Sequence, residues 1–171
     1  PNISIVVPSD PFELFKILEE AVNYKNSLYI RLTADANTRI INSKDYKFKI
    51  GKAIEIISGD DVAIISCGNI LGNCIDAALS LKKKNISCSV INMHTIKPID
   101  KKKIIEISKK FKLIITVEEH NIIGGLGSAV AEVLSGEISS TKLVRLGADD
   151  YYSSGGSYEY LKNTYGLSVK K

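Results

Sequence analysis

The sequence has no tryptophan, few arginines, and a net charge of only +4 from 23 basic and 19 acidic residues. It lacks the strongly basic, aromatic-lined stripe that is typical of nucleic-acid-binding domains, so we expect no nucleic acid as partner. No apolar run approaches the roughly 20 residues that cross a bilayer, and no secretory signal is visible. We therefore expect no membrane partner either.

Cysteine and methionine are also scarce. Cys67, Cys74 and Cys88 lack the spacing of a metal site, cannot all pair with one another, and lie among apolar or small residues. This pattern is typical of reduced thiols in the core of a cytoplasmic protein. The only methionine is Met93 and the chain begins at Pro1. We therefore expect the chain to be a piece of a longer protein.

From residue 50 onward, apolar strands alternate with helices. The predicted strands are residues 53–57, 62–66, 87–92, 113–117 and 143–146, and the predicted helices are 69–83, a segment opening at 97–100 and ending near 110, 125–134, and a last helix that Ser157 caps and that ends near Gly166. Such alternation predicts a three-layer α/β fold, with a mostly parallel open sheet and helices on both faces.

Residues 3–32 form a separate β-α-β pattern, with strands at 3–7 and 28–32. Between them, Asp10 is suited to cap a helix, Pro11 to its first position, and Glu13 to the third position after the cap. A unit this short exposes most of its apolar surface, so it is interpreted as the remnant of a second α/β domain. Residues 33–50 are polar and irregular. We place the two domains at 1–45 and 46–171.

Three glycines, Gly124, Gly125 and Gly127, lie between a predicted strand and a predicted helix. They favour a tight turn with close packing of the helix on the sheet. The alternative is a cradle for a phosphate at the helix N-terminus. A dinucleotide fingerprint would require a further glycine at the position that Val130 occupies.

The polar residues Glu118, Glu119, His120 and Asn121 follow the strand 113–117. They are predicted to lie beyond its carboxyl end, where open α/β sheets bind ligands. His94 follows another strand, so a catalytic pairing of histidine and glutamate is one hypothesis. A structural or interface role is the favoured interpretation. Metal binding is disfavoured, because the spacing fits no common ligand set.

Two more side chains are candidates for a functional role, Cys67 as a nucleophile and Arg31 as a binding group. Cys67 ends a buried strand, where a small residue before a helix is commoner than a nucleophile. Arg31 ends the strand 28–32 and presents a planar donor to a phosphate or a carboxylate. It is equally suited to an ion pair between domains, with Asp10 or Asp35 as partner.

The string from Glu118 to Ala129 resembles the Glu-Glu-His-x-x-x-Gly-Gly-x-Gly-Ser-Ala signature in the C-terminal domain of transketolase-like, thiamine-diphosphate-dependent enzymes. Residues 7–13 are similar to the Pro-x-Asp-x-x-Glu motif that opens the last helix of that family's pyrimidine-binding domain, and residues 28–32 to its last strand. Further similarities to the C-terminal domain lie at residues 51–53, 60–68, 90–100 and 146–147. The resemblance therefore covers essentially the whole chain.

The resemblance implies an enzyme that moves a two-carbon ketol unit between sugars, with thiamine diphosphate and Mg²⁺ as cofactors. It also implies that the diphosphate site and the activating glutamate lie outside this sequence, since residues 59–61 form a turn and not the family's Gly-Asp-Gly motif. We expect no catalytic residue and no bound cofactor or metal in this fragment. Its expected role is contact and active-site closure, in a homodimer completed by the diphosphate-binding and pyrimidine-binding domains.

One departure concerns the substrate. Many relatives carry a second arginine three positions after the residue corresponding to Arg31, and here that position is Ala34. A phosphorylated ordinary pentose is therefore in doubt, and Arg31 or Arg39 is the candidate replacement for substrate binding. The rival members are deoxyxylulose-phosphate synthase and the beta subunit of a 2-oxoacid dehydrogenase. A rival of another class is an anion- or nucleotide-binding α/β module.

Overall fold

The protein is described from a computed structural model that covers residues 2–33, 38–42, 47–152 and 155–169. In chain order its elements are β1 (Ile3–Val6), α1 (Pro11–Ala21), β2 (Ser27–Ile30), β3 (Ile54–Ile57), β4 (Val62–Ser66), α2 (Leu71–Lys82), β5 (Cys88–Asn92), β6 (Thr95–Lys97), α3 (Lys101–Lys110), β7 (Leu113–Asn121), α4 (Leu126–Ser135), β8 (Lys142–Ala148) and α5 (Tyr158–Thr164). None of the described helices is long and apolar enough to cross a membrane.

A five-stranded sheet with the order β3-β5-β4-β7-β8 forms the larger part of the fold. Three of its strand pairs are parallel, and only β3 runs antiparallel to its neighbour. Alternate residues of β4 face opposite cores. Ala63 and Ile65 pack with α3 and α4, whereas Ile64 packs with α2. The predicted mostly parallel, three-layer α/β fold is confirmed.

The N-terminal β-α-β unit also forms as the local signals predict. Asp10 caps α1 by accepting a hydrogen bond from the backbone N–H of Glu13, and Pro11 begins the helix. β1 and β2 are parallel neighbours. One surface of α1 remains open, since the side chains of Phe15, Leu18 and Val22 are 60%, 49% and 82% exposed.

The sequence did not predict β6. This three-residue strand pairs antiparallel with β1 and completes a second sheet of order β2-β1-β6. The helix expected to open at 97–100 therefore begins only at Lys101, with Asp100 as its cap. As a result, the N-terminal unit shares its sheet with a segment of the C-terminal region, and Val7 at the end of β1 packs into the larger core.

We expect residues 2–33 to open more readily than the five-stranded part. β2 has β1 as its only strand neighbour in the described structure, and the small buried cluster at this unit joins Val6 and Ile17 to Ile50 of the C-terminal region. Amide exchange in β2 should therefore be faster than in β4 or in Leu113–Asn121. Equal protection in a monomeric sample would contradict this prediction. Protection of β2 that rises with protein concentration would indicate self-association through the exposed face of α1.

Candidate functional site

The candidate site lies where β4 and β7 are neighbours. The chain leaves these strands toward opposite faces, to α2 after β4 and to α4 after β7. Ligands of open α/β sheets bind at such a switch point. The structure corrects one expectation here. Glu118, Glu119, His120 and Asn121 are the last residues of β7, which continues beside β8 past a register shift, and they do not lie beyond the strand.

Glu118 caps helix α4. Its side chain is 2% exposed, and its two carboxylate oxygens accept hydrogen bonds from the backbone N–H groups of Leu126 (2.7 Å) and Gly127 (2.8 Å). Burial raises the pKa of Glu118, and the two amide hydrogen bonds oppose that rise. Two of the N–H groups that could bind a phosphate at this helix end are therefore already engaged by a carboxylate of the chain itself.

The glycine geometry matches this cap. Gly124 has a φ of 78°, in the region that favours glycine, whereas the φ of Gly125 is −92°. A Cβ on Gly125 would lie 1.9 Å from Oε2 of Glu118, and a Cβ on Gly127 would lie 2.8 Å from Oγ1 of Thr116. Gly125 and Gly127 are therefore required for close approach and not for a left-handed backbone.

Glu119 points to a different set of partners. Its carboxylate accepts a hydrogen bond from the hydroxyl of Tyr158 in α5, and Oγ1 of Thr33 lies 3.5 Å from it. Its backbone carbonyl accepts a hydrogen bond of 2.7 Å from Nη2 of Arg31. Burial raises the pKa of Glu119, while Tyr158 and the charge of Arg31 oppose the rise. Glu119 therefore connects β7 to the N-terminal unit and to the last helix.

The two histidines have separate surroundings. His94 is fully buried against the ring of Phe48, its Nδ1 lies 2.9 Å from Oγ1 of Thr95, and burial lowers its pKa to about 4. His120 is half-exposed, and its Nδ1 lies 2.8 Å from the carbonyl of Asn121 and 4.0 Å from Oε2 of Glu118. The described contacts do not join the histidines into one catalytic set.

Asn121, the remaining side chain of the cluster, forms hydrogen bonds that stabilise the loop after β7. Its Nδ2 donates a hydrogen bond of 2.8 Å to Asp150, and its Oδ1 accepts one of 2.7 Å from the N–H of Ile123. These bonds fix the turn that leads from β7 to the glycines.

The surroundings of Cys67 and Asp10 favour structural roles for both residues. Cys67 is 7% exposed, and burial raises the pKa of its thiol, which disfavours a thiolate nucleophile. Asp10 accepts hydrogen bonds from the N–H groups of Glu13, Ile41 and Asn42. Asp35, the other carboxylate considered as a partner for Arg31, lies outside the described residues.

The two arginines proposed for substrate binding lie in different environments. Arg39 forms an ion pair of 2.7 Å with Asp76 of α2, and both side chains are about half exposed. Arg31 lines two adjoining cavities of about 210 and 290 Å³. Both cavities also include Glu119. Ala34, at the position where the resemblance implies a second arginine, lies outside the described residues.

Sequence reasoning missed two members of this cluster, Thr33 and Tyr158. Each contacts Glu119 from a distant part of the chain. No local pattern marks either residue, since the contact arises only when three separate elements pack together. Arg145 was also missed. It donates to the carbonyl of Ile122 and to Ser128 at 3.2 Å, which holds the loop before α4.

Comparisons with known proteins agree with this architecture. Residues 51–171 match the family model described as "Transketolase, C-terminal domain". A protein of Methanocaldococcus jannaschii, provisionally named a transketolase C-terminal section, is 37% identical over 98% of this chain and 52% of its own length. One of the subunits of an apulose-4-phosphate transketolase, from Actinobacillus succinogenes, is 36% identical over 98% of this chain and 54% of its own length.

A further relative and a solved structure extend the comparison. The 1-deoxy-D-xylulose-5-phosphate synthase of Caldanaerobacter subterraneus is 34% identical over 98% of this chain but only 27% of its own length. A solved split-gene transketolase, described as an inactive beta4 tetramer, has a TM-score of 0.92 and 33% identity over 99% of this chain and 54% of that chain. The chain spans about half the length, or less, of these proteins.

Proposed function

Since this chain belongs to the transketolase C-terminal domain family, we propose that it is the C-terminal part of an enzyme that transfers a two-carbon ketol unit between sugars. In this reaction a ketose loses its first two carbons as a ketol unit and leaves as a shorter aldose, while an acceptor aldose gains the unit and becomes a longer ketose. The observation that carries the proposal is the match of nearly the whole chain to about half of transketolase subunits.

Enzymes of this family generally depend on thiamine diphosphate, which stabilises the carbanion formed when the C–C bond breaks. The described residues of this chain do not fit that cofactor. They contain no group of three or more His, Cys, Asp or Glu side chains suited to hold a metal ion. The amides of Leu126 and Gly127 at the start of α4 are bonded to Glu118. We therefore assign the cofactor to the rest of the enzyme, and this chain alone is inactive.

The contribution of this chain is then contact with the other domains and closure of the active site. The segment Glu118–Asn121, with the glycines that follow, acts as a structural and interface element that joins three parts of the fold. Of the two candidate substrate-binding residues, Arg31 is the better supported, because it faces two cavities while Arg39 is paired with Asp76.

The partners are the diphosphate-binding and pyrimidine-binding parts of the enzyme, within a homodimer of the complete assembly. The exposed apolar stripe of α1, formed by Phe15, Leu18 and Val22, supports a partner at the N-terminal unit. The similar split-gene transketolase is itself described as a tetramer of one subunit type.

Three buried free thiols favour a reducing, cytoplasmic setting. We also propose that the boundary between the two domains lies near residue 46.

The test compares this chain alone with the complete enzyme, in the presence of thiamine diphosphate and Mg²⁺. We expect transfer from a ketose to an aldose only in the complete enzyme, measured as formation of the shortened aldose. Titration calorimetry of this chain alone with the cofactor and Mg²⁺ should give no saturable heat. Micromolar binding to the chain alone would contradict our assignment of the cofactor to the other domains.

The 34% identical 1-deoxy-D-xylulose-5-phosphate synthase supports one second candidate, the formation of a deoxyketose phosphate instead of ketol transfer. The same complete enzyme is therefore also assayed for a deoxyketose phosphate product. Formation of this product without ketol transfer would favour this candidate. Absence of both reactions in a complete enzyme that binds its cofactor would contradict both proposals.

A further inference from the structure

Glu119 is the point at which three separate segments of the chain meet. Its carbonyl accepts the hydrogen bond from Arg31, at the carboxyl end of β2, and its carboxylate lies beside Thr33 two residues later. From the other side, the hydroxyl of Tyr158 in α5 donates to the same carboxylate. One residue of β7 thus contacts both the N-terminal unit and the C-terminal helix.

The neighbouring glutamate shows that this arrangement is not part of the helix cap. Successive side chains of a strand point to opposite faces, so Glu118 and Glu119 diverge. Both carboxylate oxygens of Glu118 accept hydrogen bonds at the start of α4, from the N–H groups of Leu126 and Gly127. Glu119 is left to join the two ends of the chain, a role that neither capping nor the proposed cofactor chemistry requires.

The contact with Glu119 links the last helix to β7. α5 has no fully buried residue. Tyr158 is its link to Glu119, and Nζ of Lys162 lies 4.5 Å from the centre of the Tyr158 ring. The cavity of about 290 Å³ between α5 and the segment after β2 is lined by both Arg31 and Tyr158. Movement of α5 therefore changes the surroundings of Arg31.

We propose that Glu119 is a positioning residue, which fixes Arg31 and Thr33 relative to the C-terminal domain and is itself fixed by Tyr158 of α5. This inference rests on the proposed function, because it takes Arg31 as a residue that meets the polar end of the sugar. The docked C-terminal helix then sets the geometry with which Arg31 is presented. Neither Glu119 nor Tyr158 takes part in bond making or breaking.

The first experiment measures steady-state kinetics of the complete enzyme with four variants of this chain. Arg31 donates to the backbone carbonyl of residue 119, which every substitution keeps, so these variants act through the carboxylate that contacts Thr33 and Tyr158. We expect Tyr158→Phe and Glu119→Ala to raise the KM for the sugar about tenfold, with kcat within about twofold of wild type. The double variant should be no worse than Glu119→Ala, since both act through one contact. Glu119→Gln keeps an acceptor oxygen for Tyr158 and should retain a nearly normal KM. An unchanged KM in Tyr158→Phe and Glu119→Ala, or a loss confined to kcat, would overturn the inference.

A second experiment uses this chain by itself and needs no turnover. In Tyr158→Phe, the backbone amide resonances of Leu32 and Thr33 should shift and exchange faster. The matched control is Tyr160→Phe on the same helix, whose side chain is 52% exposed and should leave these amides unchanged. Amides that respond only to Tyr158→Phe, in a chain whose complete enzyme transfers no ketol unit, would support the positioning role and contradict the proposed function. Amides that ignore Tyr158→Phe would contradict the positioning role whatever the activity.

Discussion

Gly125→Val is expected to lower the free energy of unfolding by about 2–4 kcal/mol, the sum of overpacking and of unsatisfied buried amides. A Cβ at this position lies 1.9 Å from Oε2 and 2.7 Å from Cδ of Glu118, and 3.0 Å from the carbonyl oxygen of Asn121. The Glu118 carboxylate must then move. It cannot do so without releasing the N–H groups of Leu126 and Gly127.

Urea denaturation followed by circular dichroism measures this effect. Gly155→Val is the matched control, because a Cβ at Gly155 meets no atom of the described residues within 4 Å, and we expect a change below about 0.5 kcal/mol there. If Gly125→Val unfolds at the same urea concentration as wild type, the close approach is not required. The glycine cluster would then have to be reconsidered as an anion cradle.

Glu13→Gln is expected to cost about 2–4 kcal/mol, because a buried carboxylate with charge-assisted hydrogen bonds loses an acceptor. Glu13 is fully buried. Its Oε2 accepts hydrogen bonds of 2.7 Å from both the N–H and the hydroxyl of Ser9, and its Oε1 accepts one of 2.8 Å from Nδ2 of Asn92. In Glu13→Gln one of the two carboxylate oxygens becomes an NH₂ group. This group then faces the donors of either Ser9 or Asn92 and cannot accept their hydrogen bonds.

The effect should fall on the contact between the N-terminal unit and the larger sheet, since Glu13 belongs to α1 and Asn92 ends β5. Urea denaturation gives the total cost, and amide exchange in β1 reports whether this contact opens first. Glu19→Gln serves as the control, since Glu19 is half-exposed and paired with Lys16 at 2.8 Å, and should change stability by less than about 0.5 kcal/mol. A stability equal to that of the control would contradict the prediction.

The elements that the sequence predicted well are those with local signals. The cap at Asp10 precedes a proline and a glutamate at the expected spacing, and Ser157 likewise accepts from the N–H of Tyr160 at the start of α5. The alternation of apolar strands with helices predicted the parallel sheet. Such strands are apolar because both faces of the sheet are covered, and the two buried cores lie on these faces. These signals need no knowledge of distant residues.

The features that it did not predict depend on distant partners. β6 is only three residues long and becomes a strand because β1 lies beside it. The last part of β7 is polar, so its composition does not indicate a strand, and it extends β7 by pairing with β8 again at Asn121 after a register shift. The contacts of Glu119 with Thr33 and Tyr158 likewise follow from packing. In the candidate site, the sequence identified the cluster at the end of β7 but not which partner each side chain has.

The pairing of β1 with β6 sets an order on folding. Ile5 and Val6 find their antiparallel partners in Lys97 and Thr95, so the smaller sheet cannot close until α2, β5 and the segments before them have been synthesised. Closing so long a loop costs chain entropy, and contacts of large sequence separation form slowly. During synthesis the sheet β2-β1-β6 is therefore completed only after β6 has been made. In refolding from urea, the signals of the N-terminal unit should accordingly recover after those of the five-stranded sheet.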